Sequence, residues 1–214
     1  MKSLVLASSS PRRKELLEMT GLKFSVDASE IEEDTGRKLK PADLVKTISL
    51  EKAAAAAARH RDSIIIAADT IGVLENHLLG KPRNAAEAVA MLRTMSGQCH
   101  RVLTGFTILD SGSGRVVSKV VDTGVYFKKL NDREIENYVQ SGEPLDKAGA
   151  YAIQGTGSSL IERIEGDYYN VIGLPLYALT GELKKFGISL PEGVRHASLR
   201  NPPPGNPWRR PPEG

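Results

Sequence analysis

The hydrophobic positions of this chain follow two alternating periods. Short apolar or period-two runs, which are typical of strands, occur at about residues 3–8, 23–28, 63–75, 98–110, 115–128 and 159–166. Runs with helical periodicity lie between them, at about residues 11–20, 41–60, 84–95, 131–141 and 174–186. Strand patterns that alternate with helix patterns predict an α/β fold.

One turn sequence refines the predicted sheet. Ser111-Gly112-Ser113-Gly114 separates the two long strand patterns at 98–110 and 115–128. Small residues and glycines between two such runs indicate a tight turn, so we expect the two strands to pair antiparallel. The sequence therefore predicts a long mixed β-sheet with flanking helices rather than a purely parallel sheet.

The composition changes near the end of the chain. Residues from Pro202 onward hold half of the twelve prolines and the only tryptophan, Trp208. A segment of this kind does not bury enough apolar surface to form a packed core. We therefore predict a folded domain over residues 1–190 and a flexible Pro/Arg-rich tail over residues 191–214, with a weak partner-binding peptide as the alternative interpretation of the tail.

Composition and charge exclude several classes of protein. The 214 residues are 40% hydrophobic, which suits one large α/β domain or two packed lobes. The net charge of +3 arises in residues 195–214, which hold four arginines and one glutamate. A neutral body lacks the concentrated basic face of a nucleic-acid-coating protein. The single cysteine, Cys99, excludes an internal disulfide and a cysteine metal cluster.

The apolar runs are short compared with targeting and membrane segments. Neither an N-terminal apolar signal region nor a run of transmembrane length occurs. We therefore expect a cytoplasmic protein that binds neither membrane nor nucleic acid. A homodimer stays open, because nothing in the sequence fixes the oligomeric state.

The first candidate site is the connection between the first predicted strand and the first predicted helix. Ser10 and Pro11 occupy positions that suit an N-cap and the first helical turn. A helix start attracts anions through its free N–H groups and the macrodipole. With Ser8, Arg12 and Arg13 beside it, this start predicts a polyphosphate site; the alternative is an ordinary capped helix with solvated arginines.

Asp69 is the second candidate, because it interrupts the apolar strand pattern of residues 64–74. A buried carboxylate is costly without partners. We therefore expect Asp69 to bind a cation, to accept several hydrogen bonds or to be protonated. The alternative is an aspartate that ends the strand and caps a turn.

Four further positions carry weaker signals. Lys81 follows Gly80 just before a helix, without the spacing of a P-loop. Lys52 lies within a helix, where lysines usually face solvent. Glu33 belongs to an acidic run that could supply oxygen ligands for Mg²⁺ or Mn²⁺ together with Asp69. Gln154 precedes Gly155 and carries an amide that can both donate and accept.

Taken together, these segments resemble the Maf family of nucleotide pyrophosphatases, which is named for its link to bacterial septum formation. The matching pieces span about residues 3–187 and include 6–13, 31–33, 51–53, 68–70, 80–82, 102–105, 123–127 and 141–149. The stretch from Glu143 to Gly149, followed by Ile153-Gln154-Gly155, looks like the subgroup that acts on dTTP and UTP.

The resemblance implies a hydrolase of phosphoric anhydrides that converts nucleoside triphosphates to the monophosphate and pyrophosphate with a divalent cation. It also implies a fold similar to that of inosine triphosphatases, with a long mixed sheet, two lobes and a central cleft. By the same resemblance, Asp69 is the proton acceptor. Arg12, Thr70 and Gln154 match positions that shape substrate choice.

The residues that we expect to bind the triphosphate are Ser8, Ser10, Arg12, Arg13, Lys52 and Lys81. Glu33 and Asp69 are expected to hold Mg²⁺ or Mn²⁺. The Gln154 amide would pair with a pyrimidine, and Thr70 would leave room for a 5-methyl group, so modified uridine triphosphates are also expected substrates. Two alternatives stay open: a nucleotide-sensing regulator of septum formation that needs no turnover, and a hydrolase that removes only the terminal phosphate.

Overall fold

A computed structural model describes residues 2–28, 37–200, 202 and 205–208. The strands in these ranges are β1 (Ser3–Ala7), β2 (Ser25–Val26), β3 (Ser63–Leu74), β4 (His77–Leu79), β5 (Cys99–Asp110), β6 (Val116–Phe127) and β7 (Ile161–Glu165). The α-helices are α1 (Pro11–Glu18), α2 (Pro41–Ala57), α3 (Ala85–Met95), α4 (Asp132–Gln140), α5 (Tyr168–Ile172) and α6 (Leu176–Leu183). None of the helices in these ranges is both long and apolar enough to cross a bilayer.

The sheet is mixed, as predicted. Its strand order is β2-β1-β3-β5-β6-β7, and β4 pairs with β3. β1 runs parallel to β2 and β3, whereas β4 is antiparallel to β3 and β7 is antiparallel to β6. At the two ends of the β5–β6 pair, Asp110 N donates to Arg115 O and Phe127 N donates to Gln98 O. These partners are symmetric about the turn, so the predicted antiparallel hairpin is confirmed.

The predicted elements are present, and the differences in their ends have local causes. The strand predicted at 23–28 is only Ser25–Val26, which pairs with β1 alone among the strands described. The strand predicted at 159–166 begins at Ile161, because residues Thr156–Leu160 form a 3-10 helix.

Two short elements, β4 and α5, were not predicted. β4 follows a two-residue turn in which Glu75 and Asn76 have φ values of 47° and 70°. Such a turn is usually signalled by glycine, which Glu75-Asn76 lacks. α5 is only five residues long, too short to show a helical period, although Asp167 caps it by accepting from Asn170 N.

The chain forms two compact units. Three of the four boundaries between them fall within β3, β5 and β6, and the fourth follows β7. The first unit comprises Met1–Thr70, Thr104–Val121 and Asp167–Gly214. The second unit comprises Ile71–Leu103 and Asp122–Gly166. Two units agree with the predicted two lobes; the central cleft stays a prediction.

In the first unit, α2 packs against the sheet through small residues. Its alanines join a buried cluster of Val5, Ala7, Ala53, Ala56, Ile65, Ala67 and Leu109. On β5, a Cβ added at Gly105 would lie 2.4 Å from the carbonyl oxygen of Val45. The backbone of α2 therefore rests directly on β5, which fixes the distance between this helix and the sheet.

Beyond α6, the first unit includes a packed C-terminal segment. Residues His196–Arg200 form a 3-10 helix, and Leu199 is buried. The His196 ring stacks on Tyr177 at 4.2 Å between centroids, and the Arg200 guanidinium lies 4.5 Å from the same ring. The packed chain therefore continues to Arg200, past the predicted boundary at residue 190. The flexibility of the rest of the predicted tail stays a prediction, since much of it lies outside the described residues.

The second unit holds an aromatic cluster around a buried histidine. The His100 ring lies 5.5 Å from Phe127 and 5.2 Å from Tyr151, measured between centroids. His100 Nε2 is 2.9 Å from the Tyr151 hydroxyl, while its buried Nδ1 has no hydrogen-bond partner among the described residues. Burial lowers the pKa of His100 from 6.5 to about 4, because a charged ring would lose its hydration there.

We expect this histidine to make the fold sensitive to acid. Between pH 6.5 and 4 the unfolded chain binds a proton that the folded chain does not, so stability falls as the pH falls through this window. From pH 7 to pH 5, the free energy of unfolding should fall by about 2 kcal/mol more in the wild type than in His100→Phe. Urea unfolding at the two pH values measures this difference.

The control for the acid sensitivity is His77→Gln, which removes an exposed histidine of β4. This variant should keep the pH dependence of the wild type. Equal pH dependence in the wild type and in His100→Phe would contradict the assignment of a neutral buried imidazole.

Candidate active site

The loop between β1 and α1 is organised by its own hydroxyl groups. The side chain of Ser10 accepts from Arg13 N at 3.5 Å, and Pro11 occupies the first turn of α1. Ser8 Oγ accepts from Ser10 N at 3.3 Å. The predicted N-cap is therefore confirmed, and the two serines lie at a helix start, where anions bind favourably.

Arg13 is held in place from three directions. Its Nε donates to Gly173 O at 2.9 Å, Nη1 donates to Ser8 Oγ at 3.3 Å, and Nη2 donates to Thr70 Oγ1 at 3.1 Å. Because the guanidinium is a planar fork, these contacts fix its orientation. A half-buried cation with a fixed orientation therefore lies beside the start of α1.

Arg12, by contrast, is exposed. Its side chain makes no recorded hydrogen bond or ion pair within residues 2–28, 37–200, 202 and 205–208. The two predicted arginines are thus in different situations: Arg13 is anchored to the protein, whereas the Arg12 guanidinium is available to solvent or a ligand.

Asp69 forms a buried ion pair with Lys52. Lys52 Nζ lies 2.9 Å from Asp69 Oδ1, and each side chain is 8% exposed. Asp69 lies within β3, which continues to Leu74, so the alternative of a strand-ending aspartate is wrong. The cation that Asp69 contacts is the ammonium of Lys52. Each charge offsets the cost of burying the other.

The strand period explains why this pair forms. Asp69 is two residues beyond Ala67 and therefore points to the same face of β3, the face covered by α2. Lys52 precedes Ala53 on the packed side of α2 and is itself buried. The close packing of α2 on the sheet brings the lysine within reach of the carboxylate.

Thr70 points to the opposite face of β3, where it begins a row of polar groups. Its Oγ1 is 2.9 Å from Thr104 Oγ1, and Thr104 Oγ1 donates to Asn170 O at 3.0 Å. The sequence alone predicts no role for Thr104, Asn170 or Gly173. For Thr104 the one available signal was a hydroxyl within an apolar strand, whereas the partners Asn170 and Gly173 contribute backbone carbonyls, which no sequence pattern marks.

Lys81 and Gln154 lie in the second unit, and both residues are exposed. Next to Lys81, the carbonyl of Gly80 accepts from Gly149 N at 2.9 Å. Neither the Lys81 nor the Gln154 side chain makes a recorded hydrogen bond to another described residue. Both are therefore free to contact a ligand on the surface of this unit.

The loop that carries Gln154 is held by Glu143. The Glu143 carboxylate accepts from Thr156 N at 3.1 Å and also from the Thr156 hydroxyl. Gly155 has φ of +85°, and a Cβ there would lie 2.7 Å from Glu143 Oε1. Gly155 is thus required by the left-handed backbone and by the close approach of the carboxylate.

The residues that could hold a metal are few. Glu33 and the rest of its acidic run lie outside the described residues. Within the part of the chain that the structure describes, no group of three or more His, Cys, Asp or Glu residues could hold a metal. Lys52 Nζ donates to Asp69 Oδ1, and the second carboxylate oxygen of Asp69 could then serve as an oxygen ligand for a metal. This fits Mg²⁺, which is usually bound by one or two carboxylates together with waters and substrate phosphates.

Comparisons with known proteins identify relatives of the chain. A family model described as "Maf-like protein" matches residues 3–186. A dTTP/UTP pyrophosphatase from Bacillus cereus (strain ATCC 10987 / NRS 248) is 47% identical over 190 residues, which cover 89% of this chain and 93% of that protein. A dTTP/UTP pyrophosphatase from Alkaliphilus metalliredigens (strain QYMF) is 50% identical over 193 residues, covering 89% of this chain and 100% of that protein.

Among solved structures, a nucleoside-triphosphatase / dITP/XTP pyrophosphatase from Mycobacterium abscessus ATCC 19977 / DSM 44196 aligns with a TM-score of 0.42 and 17% identity. The alignment covers 61% of this chain and 76% of that one, a similarity too low to support a conclusion. The family model is decisive, because its match runs from β1 to beyond α6 and so covers most of the chain. The chain therefore belongs to the Maf family.

Proposed function

We propose that the protein is a nucleoside triphosphate pyrophosphatase that hydrolyses dTTP and UTP. The observation that carries this proposal is the anchored Arg13 at a capped helix start, in the same unit as the buried Asp69–Lys52 pair. The names of the two relatives support the substrate class. A fixed cation for phosphate and a carboxylate for water are the parts that a metal-assisted hydrolysis of a phosphoanhydride needs.

The triphosphate would bind at the start of α1. The hydroxyls of Ser8 and Ser10 and the free N–H groups of the first turn donate to phosphate oxygens, and Arg12 and Arg13 add charge. Lys52, in the same unit, belongs to the proposed cationic set, of which Lys81 stays a predicted member. Phosphoryl transfer depends mainly on positioning and on neutralising the charge that develops, so cations matter more than a nucleophilic side chain.

Asp69 would act as the proton acceptor. As water attacks the α-phosphorus, the Asp69 carboxylate takes a proton from that water, the bond to the β-phosphate oxygen breaks, and pyrophosphate leaves. The hydrogen bond from Lys52 holds the carboxylate in one orientation and compensates its charge. Its second oxygen is the one available to the water or to a cation.

The residues proposed to hold Mg²⁺ or Mn²⁺ are Asp69 and, from the acidic run predicted to supply oxygen ligands, Glu33. When bound, such a cation neutralises phosphate charge and makes a coordinated water more acidic. Oxygen ligands suit both metals, so turnover measured with each of them gives the preference.

Gln154 would select the base. Its amide oxygen can accept from the pyrimidine N3–H, and its NH₂ can donate to a base carbonyl. Cytosine lacks the N3–H, so its binding would leave a polar group unpaired. Thr70, which is small, would tolerate the 5-methyl of thymine and similar modifications of uracil. A role in removing modified uridine triphosphates from the nucleotide pool follows.

We expect Gln154→Ala to lower the preference for UTP over CTP, expressed as the ratio of the two kcat/KM values, at least tenfold. The reason is that the amide that distinguishes the two bases is gone. The measurement is the ratio of kcat/KM for the two nucleotides. Gln140→Ala, which removes an exposed glutamine of α4, is the matched control and should keep the wild-type ratio. An unchanged ratio in Gln154→Ala would rule out recognition by the amide.

The function itself is tested by a screen for pyrophosphate release. UTP, dTTP, CTP, purine triphosphates and 5-substituted uridine triphosphates are incubated with the full chain and Mg²⁺ or Mn²⁺, and all products are separated. Release of monophosphate and pyrophosphate from UTP and dTTP supports the proposal. Release of diphosphate and phosphate would contradict it, and tight binding without turnover would favour a nucleotide sensor.

A further inference from the structure

We infer that Thr104 is a positioning residue for Arg13, because its hydroxyl fixes the direction of a hydrogen-bond chain that ends on the guanidinium. Thr104 is fully buried on β5 and does not contact solvent. It would therefore act through Thr70, not on the nucleotide. The inference rests on the proposed function in one respect: it assumes that Arg13 binds phosphate.

The direction of the chain follows from the chemistry of its ends. A backbone carbonyl can only accept, so the single hydroxyl hydrogen of Thr104 must point to Asn170 O, at 3.0 Å. The contact between Thr104 and Thr70, at 2.9 Å, therefore uses the hydrogen of Thr70. The hydroxyl of Thr70 is then left as an acceptor on its other side.

Arg13 supplies the matching donor. A guanidinium has no acceptor, so Arg13 Nη2 donates to Thr70 Oγ1, at 3.1 Å. Every hydrogen in the row Arg13, Thr70, Thr104 and Asn170 O thus points the same way. Aligned hydrogen bonds polarise one another, which strengthens the hold on the guanidinium.

Loss of the Thr104 hydroxyl would remove the acceptor that fixes the direction of the Thr70 hydrogen. Thr70 could then rotate its hydrogen to other positions, including one that faces the guanidinium and repels it. Arg13 would keep its bonds to Gly173 O and to Ser8 Oγ, but Ser8 is itself a proposed phosphate ligand. The Arg13 guanidinium would therefore be held most weakly when a phosphate group competes for Ser8.

Thr107 offers a matched control on the same strand. It is also fully buried, and its hydroxyl lies 2.9 Å from Ser49 Oγ and 2.8 Å from Ser118 Oγ. Replacing Thr107 by valine removes a buried hydroxyl in the same way, but at a place with no link to Arg13. Any effect common to both valine variants is structural.

The test measures the affinity of the full chain for inorganic pyrophosphate by titration calorimetry, together with KM for UTP. Thr104→Val should weaken pyrophosphate binding about tenfold and raise KM similarly. Thr104→Ser, which keeps the hydroxyl, and Thr107→Val should bind as the wild type does. If Thr104→Val does not fold, Thr104→Ala carries the same expectation.

A double-mutant comparison separates positioning from general destabilisation. In an Arg13→Ala background, Thr104→Val should weaken pyrophosphate binding no further, because the residue it positions is absent. Equal weakening in both backgrounds, or wild-type affinity in Thr104→Val, would overturn the inference. So would a wild type that binds no pyrophosphate. A wild type that binds pyrophosphate without hydrolysing UTP would refute the proposed function and leave the binding comparison decisive for Thr104.

Discussion

Asp69→Asn will lower kcat for pyrophosphate release from UTP by about 10²–10⁴-fold, the usual contribution of a general base. The amide keeps the shape of the carboxylate and can still accept from Lys52, but it cannot take a proton from water. Nucleotide binding should largely persist, since the proposed phosphate ligands at the start of α1 are unchanged. Single-turnover assays and binding titrations on the same preparation separate the two effects.

Stability is the confounding factor in this experiment. Removing one partner of a buried ion pair leaves the Lys52 ammonium uncompensated, which can cost about 3–5 kcal/mol. The double variant Lys52→Met/Asp69→Asn removes both charges and should recover stability while staying inactive. Asp122→Asn, which breaks an exposed ion pair with Arg101, is the control and should change neither stability nor turnover appreciably. Normal turnover in Asp69→Asn would show that another group accepts the proton.

The second large effect is expected at Gly105, where Gly105→Ala will destabilise the fold by about 3 kcal/mol. The added Cβ would lie 2.4 Å from Val45 O and 2.8 Å from Lys46 N. Both neighbours are backbone atoms of α2, so no side chain can turn aside to make room. The helix must move away from β5, and Lys52 moves with it.

Gly80→Ala is the matched control, because a Cβ at Gly80 meets nothing within 4 Å. Denaturant unfolding of both variants measures the difference. We expect the surviving folded fraction of Gly105→Ala to show reduced kcat as well, because the Lys52–Asp69 pair depends on the position of α2. A free energy of unfolding within 1 kcal/mol of the wild type would mean that α2 tolerates the shift.

Much of the proposed catalytic half of the site could be predicted from sequence. Asp69 stands out because it is charged within an apolar strand. Lys52 lies in a predicted helix, where lysines usually face solvent, but its spacing carries the opposite signal: Ile48, Lys52 and Ala56 are four residues apart and share one buried stripe of α2. A charge on such a stripe indicates a buried partner, here Asp69.

The proposed phosphate-binding half was harder to predict, since the groups that hold Arg13 are distant from it in the chain. Ser10 and Pro11 identified the helix start from local rules alone. Which arginine is anchored could not be predicted, because Arg13 is fixed by a carbonyl at Gly173, 160 positions away. Backbone groups have no residue identity, and their arrangement follows only from the packed fold.

The central claim is that water attacks the α-phosphorus of a bound nucleoside triphosphate. The most direct measurement is hydrolysis of UTP by the wild-type protein in ¹⁸O-labelled water, with both products analysed by mass spectrometry. One ¹⁸O atom is expected in UMP and none in pyrophosphate. Label in pyrophosphate, or in released orthophosphate, would place the attack on another phosphorus and contradict the claim.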